Sequence, residues 1–124
     1  MTAARPGLIL FAHGSRNADW ATPFEAVAAR VRAARPELPL RLAFLELMAP
    51  DLATAGAALV ASGCTQIEIV PLFLGVGGHL RRDLPALVDV LHQQHPGIVF
   101  RLHGAVGETD AVIAALASAA LATL

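Results

Sequence analysis

The sequence contains no lysine, and all nine of its basic residues are arginine. Without lysine the chain cannot form a P-loop, because that motif holds nucleotide phosphates with a lysine. It also cannot use a lysine as a Schiff-base nucleophile or as the anchor of pyridoxal phosphate. These classes of enzyme site are therefore excluded.

Cysteine is scarce as well, since Cys64 is the single one. One cysteine excludes an intrachain disulfide and any zinc or iron–sulfur site made only of cysteines from one chain. A free thiol fits a reducing compartment, so we expect a cytoplasmic protein. Residues 1–7 carry no apolar segment with a small-residue cleavage site, and no apolar run reaches the ~18 residues of a membrane span. We therefore expect neither a secretory signal nor a membrane partner.

Charged residues are few, at 15% of the 124 residues, whereas hydrophobic residues make up 56%. This composition is typical of a folded domain and excludes a disordered chain. The net charge of −1 provides no broad basic surface, so we expect no nucleic-acid partner. An anionic ligand would have to be held by a local cluster. The length predicts a single domain over residues 1–124.

Strand-like and helix-like segments alternate along the chain. Short apolar segments bounded by glycine, proline or charged residues predict four strands, at residues 7–12, 40–45, 67–74 and 98–102. Apolar residues at helical spacing predict four helices, at about residues 22–34, 51–60, 80–91 and 108–124. Pro71 is expected to make the second half of the third strand irregular, and Gly63 is placed to end the second helix.

The alternation of strands and helices predicts an α/β fold of three layers, in which a four-stranded parallel sheet is flanked by helices. The first and third strands are the most continuously apolar, so we expect them at the centre and the other two at the edges. Right-handed crossovers then give the strand order 2-1-3-4. This order places a topological switch point between the first and third strands, where open α/β sheets bind ligands beyond the carboxyl ends of their strands.

The last predicted helix has no charged residue from Ala111 to Leu124. A solvated helix needs a polar face, and this segment is too short to cross a membrane. We therefore expect the helix to be buried in a contact between subunits, and the protein to be a homodimer.

Three polar residues follow the first three strands: His13, Glu46 and His79. Two imidazoles and a carboxylate at the switch point suit a divalent ion such as Co²⁺, Fe²⁺, Ni²⁺ or Zn²⁺, and three protein ligands leave positions open for handing the ion over. The same histidines could instead accept protons near neutral pH. Each residue alone also has an ordinary interpretation, as a turn residue or an exposed strand end. Their coincidence at neighbouring strand ends favours a functional site.

Arginines lie within a few residues of both histidines, namely Arg16, Arg81 and Arg82. They either solvate the surface or bind carboxylate or phosphate groups at the same cleft. Asp83 either orients one of these arginines or caps the helix that follows. His103 follows the fourth strand at the edge of the sheet, and its role stays open.

Several motifs occur in a fixed order along the chain: His13-Gly-Ser-Arg16 after a buried strand, Phe44-Leu-Glu46 with Pro50, Pro71-Leu-Phe-Leu-Gly75, Gly78-His79 and Asp83-Leu-Pro85. In this order and at these spacings they resemble the motifs of the small, short-form sirohydrochlorin chelatases of cobalamin and siroheme biosynthesis, a class II chelatase-like family. The resemblance runs from about Leu8 to His103.

The resemblance implies a chelatase-like sheet and a homodimeric enzyme that inserts cobalt, iron or nickel into the tetrapyrrole sirohydrochlorin without ATP. It implies that His13, Glu46 and His79 bind the metal and that the two histidines are catalytic, although which one is ligand and which is base stays open. The metal is a substrate, and no organic cofactor is expected. Substrate contacts are expected from Ser15, Arg16, Gly77, Gly78, Arg81 and Arg82.

Two other classes of enzyme do not fit the residues around His13 and Ser15. A histidine phosphatase needs an arginine directly before the histidine–glycine pair, where this chain has Ala12. A serine hydrolase needs Gly-x-Ser-x-Gly, which the surroundings of Ser15 lack. A non-catalytic carrier of metal or tetrapyrrole, using the same residues, is the alternative that stays open.

Overall fold

The computed structural model describes residues 3–124, which form one parallel sheet with helices around it. The strands are β1 (Pro6–Ala12), β2 (Leu40–Phe44), β3 (Gln66–Pro71) and β4 (Val99–Leu102). They lie in the order β2-β1-β3-β4, and each neighbouring pair is parallel. The predicted strand order, with β1 and β3 at the centre, is confirmed.

The helices are α1 (Ala21–Ala34), α2 (Leu52–Ala61), α3 (Gly78–Gln94) and α4 (Asp110–Leu121). The core between the sheet and the helices α2 and α3 contains Ile9, Ile67 and Ile69 from the strands. On the other face of the sheet, Leu10 and Leu40 pack with α1. Neighbouring residues of a strand face opposite sides, so β1 supplies both layers of packing. The predicted three-layer arrangement is confirmed.

The strand β3 ends at Pro71, earlier than the predicted end at Leu74. Proline has no N–H to donate to a neighbouring strand, which explains why the strand stops there. One further bond, from the Leu72 N–H to the Phe11 carbonyl at 2.7 Å, holds the chain as it leaves the sheet. Phe73 then turns into the core, whereas Leu74 is exposed. This irregular end carries the chain over the carboxyl edge of the sheet.

Capping residues define the ends of the helices. Asp51 is the N-cap of α2, because its carboxylate accepts a hydrogen bond from the Thr54 N–H at 2.8 Å. Hydrogen bonding by the Thr54 side chain, and then by its N–H, lowers the pKa of Asp51. Gly63 follows the end of α2 with a φ of +96°, as its expected role as a helix stop requires. Asp83 does not cap α3, since that helix begins at Gly78 and Asp83 lies inside it.

The helix α4 is the element that differs most from the others. It starts later than predicted, because a short 3₁₀ turn (Val106–Glu108) precedes it and Thr109 is its N-cap. No residue of α4 is buried within the chain, and Ile113, Leu116 and Leu121 are exposed. The apolar composition of α4 predicts a buried helix, but the residues that the structure describes do not bury it. None of the helices within residues 3–124 has the length and apolar character needed to cross a membrane.

Candidate functional site

The candidate site lies at the carboxyl edge of the sheet, where β1 and β2 end side by side. Ala12 and Phe44, the last residues of these strands, are partners in the parallel register. The residues that follow them therefore leave the sheet as neighbours. In this way the pairing of two strands brings His13 close to Glu46, although they are 33 positions apart in the sequence.

The side chains of His13 and Glu46 face each other. His13 Nδ1 lies 3.6 Å from Glu46 Oε1, which makes an ion pair when the imidazole is protonated. The two side chains are 41% and 43% exposed, so both remain accessible to a ligand. An imidazole and a carboxylate in this arrangement can hold a divalent ion together or exchange a proton with a bound molecule.

Gly14 allows the two turns to approach this closely. A methyl group at this position would overlap the main-chain carbonyl of Glu46 and would lie 3.2 Å from the nitrogen of Met48. Glycine is the residue that leaves room for such an approach between two backbones. The glycine of the His13-Gly14 motif is therefore needed for the contact between the turns that brings His13 to Glu46.

The main chain also fixes the turn that carries Glu46. The Leu45 N–H donates to the Ala12 carbonyl, and the Met48 N–H donates to the Glu46 carbonyl, both at 2.8 Å. Between them, Leu47 has a φ of 64°, in the left-handed region that a leucine rarely adopts. Strained backbone of this kind is frequent at functional sites, where it holds a side chain in one place.

Two aromatic residues that the sequence analysis did not single out flank His13. The Phe73 ring packs against the imidazole, with ring centroids 4.3 Å apart and planes inclined by 31°. The Trp20 Nε1–H donates to the His13 carbonyl at 2.7 Å. The sequence could have indicated Trp20, because it is the single tryptophan and lies a few residues after the His13 motif. A tryptophan side chain combines a large apolar ring with one hydrogen-bond donor. The contact of Phe73 with His13 could not be predicted from the sequence, since a phenylalanine in an apolar segment is usually a core residue.

Two cavities open beside His13. The first has a volume of about 390 Å³ and is lined by His13, Gly14, Ser15, Trp20 and Glu46. The second has a volume of about 470 Å³ and is lined by His13, Trp20, Phe24, Leu72, Phe73, Leu74 and Gly75. The first is bordered by the polar pair and the second by mostly apolar side chains. Together they suit a ligand with a large apolar surface and a few polar groups.

The third predicted metal ligand, His79, does not join the pair in this structure. It lies in the first turn of α3 and is exposed. Within residues 3–124, no three His, Cys, Asp or Glu side chains lie close enough together to hold one metal ion. The structure thus assembles His13 with Glu46 and leaves His79 at the start of a helix on the same edge.

Ser15 and Arg16, two of the predicted substrate contacts, lie in the turn between β1 and α1. The Ser15 hydroxyl accepts a hydrogen bond from the Asn17 N–H at 3.1 Å, so it stabilises this turn, and Ser15 also lines the cavity beside Glu46. Arg16 is exposed. These positions leave both side chains at the mouth of the site.

The other predicted substrate contacts lie where α3 begins. Gly77 is the N-cap of α3, and it offers no side chain to bond the first amides of the helix. Arg81 Nε donates to the Val76 carbonyl at 3.2 Å, which ties the first turn of the helix to the loop before it. Arg82 and Gly78 are exposed. A helix start with free amides and two arginines is a favourable place for an anionic group.

A cavity of about 370 Å³ lies at the opposite, amino edge of the sheet, and its lining includes Arg5, Arg35, Glu37 and Cys64. Two of its charged groups are paired, because Arg35 Nε donates to Glu37 Oε1 at 2.6 Å. Burial raises the pKa of the Cys64 thiol, which makes it a poor nucleophile. The carboxyl edge, where the cavities contain the exposed His13–Glu46 pair, is therefore the better candidate for function.

Comparison with known proteins assigns the chain to a family, since the family model named CbiX matches residues 7–122. This chain belongs to the CbiX family. Proteins named sirohydrochlorin cobaltochelatase, from Saccharolobus solfataricus and Saccharolobus islandicus, are 32% identical to it over 84 residues. The match covers 68% of this CbiX-family chain and 64% of the length of those relatives. A sirohydrochlorin ferrochelatase from Priestia megaterium is 30% identical over 87 residues, which are 69% of this chain and 32% of that protein.

Solved structures share the fold of this CbiX-family chain. A CbiX protein from Marinobacter aquaeolei has a TM-score of 0.84 and 33% identity, covering 95% of this chain and 96% of that one. SirB from Bacillus subtilis subspecies spizizenii, solved in complex with cobalt, has a TM-score of 0.76 and 26% identity, covering 92% of this chain and 49% of that one. The predicted chelatase-like fold is confirmed.

The close contact at Gly14 gives a first prediction. We expect Gly14→Ala to lower the free energy of unfolding by roughly 1–3 kcal/mol, because the added methyl group forces the two turns apart. Urea unfolding at a fixed protein concentration measures this change. Gly104→Ala is the matched control, since a methyl group there meets no atom within 4 Å. Equal stability of the two variants would contradict the role assigned to Gly14.

Proposed function

We propose that this CbiX-family chain is an ATP-independent sirohydrochlorin chelatase, which inserts a divalent metal ion into the tetrapyrrole. The accessible His13–Glu46 pair, which lies beside an apolar cavity at the carboxyl edge of the sheet, supports this activity. Relatives named cobaltochelatase and ferrochelatase support the same activity. The metal is a substrate of this reaction, and the proposal requires no organic cofactor.

The metal is held by His13 and Glu46 during the reaction. A carboxylate and an imidazole are ligands of the type that bind Co²⁺, Fe²⁺ and Ni²⁺, so the ligand set alone does not select among these metals. His79 is the third ligand in the proposal, and it must approach the pair from the first turn of α3 when the metal binds. Three protein ligands leave positions open, which the nitrogens of the macrocycle need in order to take the ion.

The tetrapyrrole is bound by its apolar ring and by its carboxylates. Trp20 and Leu74, which are both exposed, line the cavity beside His13 and present apolar surface to the macrocycle. The carboxylates around the ring are bound by Arg16, Arg81 and Arg82, by Ser15, and by the free amides at Gly77 and Gly78. Anchoring the rim in this way fixes the centre of the ring over the metal ligands, so that insertion becomes effectively intramolecular.

The reaction requires that two pyrrole N–H protons leave as one divalent ion enters, which conserves charge. A histidine accepts a proton near neutral pH, and the Glu46 carboxylate beside His13 can stabilise the imidazolium that results. His13 therefore combines metal binding with proton removal, or shares these tasks with His79. Each proton then passes to the solvent that reaches this exposed site.

A carrier that binds metal or tetrapyrrole without turnover remains the second candidate. The exposure of the His13–Glu46 pair is the observation that favours it, because an open site releases its ligands readily. In either case we propose that the protein works in the cytoplasm, where its single thiol would stay reduced.

We also propose that the working form is a homodimer. The helix α4 has no charged residue after Asp110, no residue buried within the chain and exposed apolar side chains at Ile113, Leu116 and Leu121. Such a surface is unfavourable in water and is typical of subunit contacts. A second copy of the chain is the partner that would cover it.

The metal site gives the second prediction. His13→Ala and His79→Ala should each lower the rate of cobalt insertion by a factor of about 100 or more, because each removes a metal ligand or a proton acceptor. Glu46→Gln should lower it as well while keeping the shape of the side chain. The change of the visible spectrum of sirohydrochlorin measures the rate.

The controls for this experiment are His95→Gln and Glu37→Gln, which change the same residue types far from the carboxyl edge. All these variants should unfold within about 1 kcal/mol of wild type, since none of the five side chains is among the buried residues of the core. A His13 variant that inserts cobalt at the wild-type rate would contradict the proposed site. A fully active His79 variant would remove His79 from the ligand set.

The helix α4 gives the third prediction. Sedimentation of the wild-type protein at micromolar concentration should give a mass of about twice 12.9 kDa. Leu116→Glu should give the monomer, because it places a charge on the apolar surface of α4. Val90→Glu, at a similarly exposed position on α3, should leave the dimer intact. A monomeric wild-type protein would contradict the proposed homodimer.

A further inference from the structure

Phe73 connects the hydrophobic core with the candidate site. Its side chain is only 3% exposed and belongs to the main core cluster, where its ring centroid lies 6.1 Å from that of Phe11. The same ring packs against the imidazole of His13, with centroids 4.3 Å apart. A buried ring offers almost no surface to a ligand, so any effect of Phe73 on the reaction passes through His13.

The contact restricts rotation of the His13 imidazole. The two ring planes are inclined by 31°, so the rings meet largely face to face. Rotation of the imidazole about its Cβ–Cγ bond would carry its edge into the Phe73 ring, which is itself packed in the core and has little room to move. With the imidazole held in this way, His13 Nδ1 keeps its direction toward Glu46 Oε1, 3.6 Å away.

The other contacts of His13 hold its ring less firmly. The Trp20 Nε1–H bonds the main-chain carbonyl of His13, so it fixes the backbone and not the imidazole. The Glu46 carboxylate is 43% exposed, and its separation from Nδ1 is longer than an ordinary hydrogen bond. Phe73 is therefore the rigid contact of the imidazole.

The connection between β4 and α4 holds Phe73 in turn. The Gly107 N–H donates to the Phe73 carbonyl at 2.9 Å. A methyl group at Gly107 would overlap the main chain of Leu74, so glycine is needed for the close approach of the two segments. Ala105, at the start of the same connection, is 1% exposed and lies in the same core cluster as Phe73. The connection is thus packed against the backbone that carries the Phe73 ring.

We infer that Phe73 is a positioning residue for metal insertion, which holds the His13 imidazole toward Glu46, and that the approach of Gly107 sets where the Phe73 ring lies. The inference rests on the proposed function, in which His13 binds the metal or accepts a proton. Both tasks require ring nitrogens that point in one direction, because a small misplacement of a reacting group lowers the rate strongly.

An ordinary core phenylalanine is the alternative, and Phe100 provides the comparison. Its side chain is 4% exposed and lies in the same core cluster. The Phe100 ring packs near the imidazoles of His92 and His95 rather than near His13. A role in packing alone predicts similar effects from the loss of either ring, whereas a positioning role predicts an effect on the reaction from the loss of Phe73 only.

The fourth prediction compares Phe73→Leu with Phe100→Leu at a temperature where both variants are folded. Each change keeps an apolar side chain and removes a ring, so both should lower the free energy of unfolding. Phe73→Leu should also lower the kcat of cobalt insertion about tenfold or more, with the KM for sirohydrochlorin near the wild-type value, because the lost ring oriented His13 and did not touch the macrocycle. Phe100→Leu should keep the wild-type kcat.

Proton NMR of the His13 ring tests the contact without turnover, at a pH where the imidazoles are neutral. In the wild-type protein the Phe73 ring current should shift the imidazole C–H signals of His13 upfield of those of the exposed His79. Gly107→Ala should move the His13 signals toward those of His79, because the added methyl group displaces the backbone next to Phe73. Gly104→Ala is the matched control, since a methyl group there meets no atom within 4 Å, and it should leave the signals unchanged.

Three outcomes would overturn the inference. They are equal kcat values in Phe73→Leu and Phe100→Leu, a raised KM with an unchanged kcat in Phe73→Leu, and His13 signals in Gly107→Ala that match the wild type. The NMR arm needs no metal insertion, so it tests the positioning of His13 separately from the proposed function. A wild-type protein that inserts no cobalt would refute the chelatase activity, and the NMR signals would still show whether Phe73 and Gly107 hold the imidazole.

Discussion

The parallel pairing of β1 with β2, and the close contact of the two turns that follow these strands, is the constraint on which the candidate site depends. Parallel strands end at the same edge, so pairing alone brings His13 and Glu46 to neighbouring positions. The final approach requires Gly14, because any larger residue would overlap the Glu46 carbonyl. The left-handed Leu47 then holds Glu46 in its turn. Backbone contacts, rather than flexible side chains, thus fix the relative position of His13 and Glu46.

The rest of the sheet supports this edge without taking part in the chemistry. The core residues of β1 and β3 are fully buried, whereas the ionisable groups of the site lie at strand ends, where their charges remain hydrated. Because β3 ends at Pro71, the chain leaves the sheet there, and Phe73 packs against His13. The proposed chelatase activity rests on an exposed histidine–carboxylate pair and on the apolar cavity beside it, at the same edge of the sheet.

The sequence predicted the order of the strands and the His13–Glu46 pair because both depend on simple patterns. Apolar runs identify the central strands, and polar residues directly after them must meet at one edge. Features that depend on irregular backbone were missed. The approach of Phe73 to His13 follows from the path of the chain after Pro71, and the distance of His79 from the pair follows from the loop before α3. The sequence could not predict the position of α4 either, because hydrophobic periodicity shows that a helix forms but not what it packs against.

Counting turnovers shows whether the chain catalyses metal insertion. Purified wild-type protein is mixed with a large excess of sirohydrochlorin and Co²⁺, and the product is counted from its visible spectrum against a reaction without protein. We expect many cobalt-containing macrocycles for each chain, formed well above the rate without protein. A product that stops at one macrocycle per chain, or a rate equal to that without protein, would contradict it and would leave a carrier.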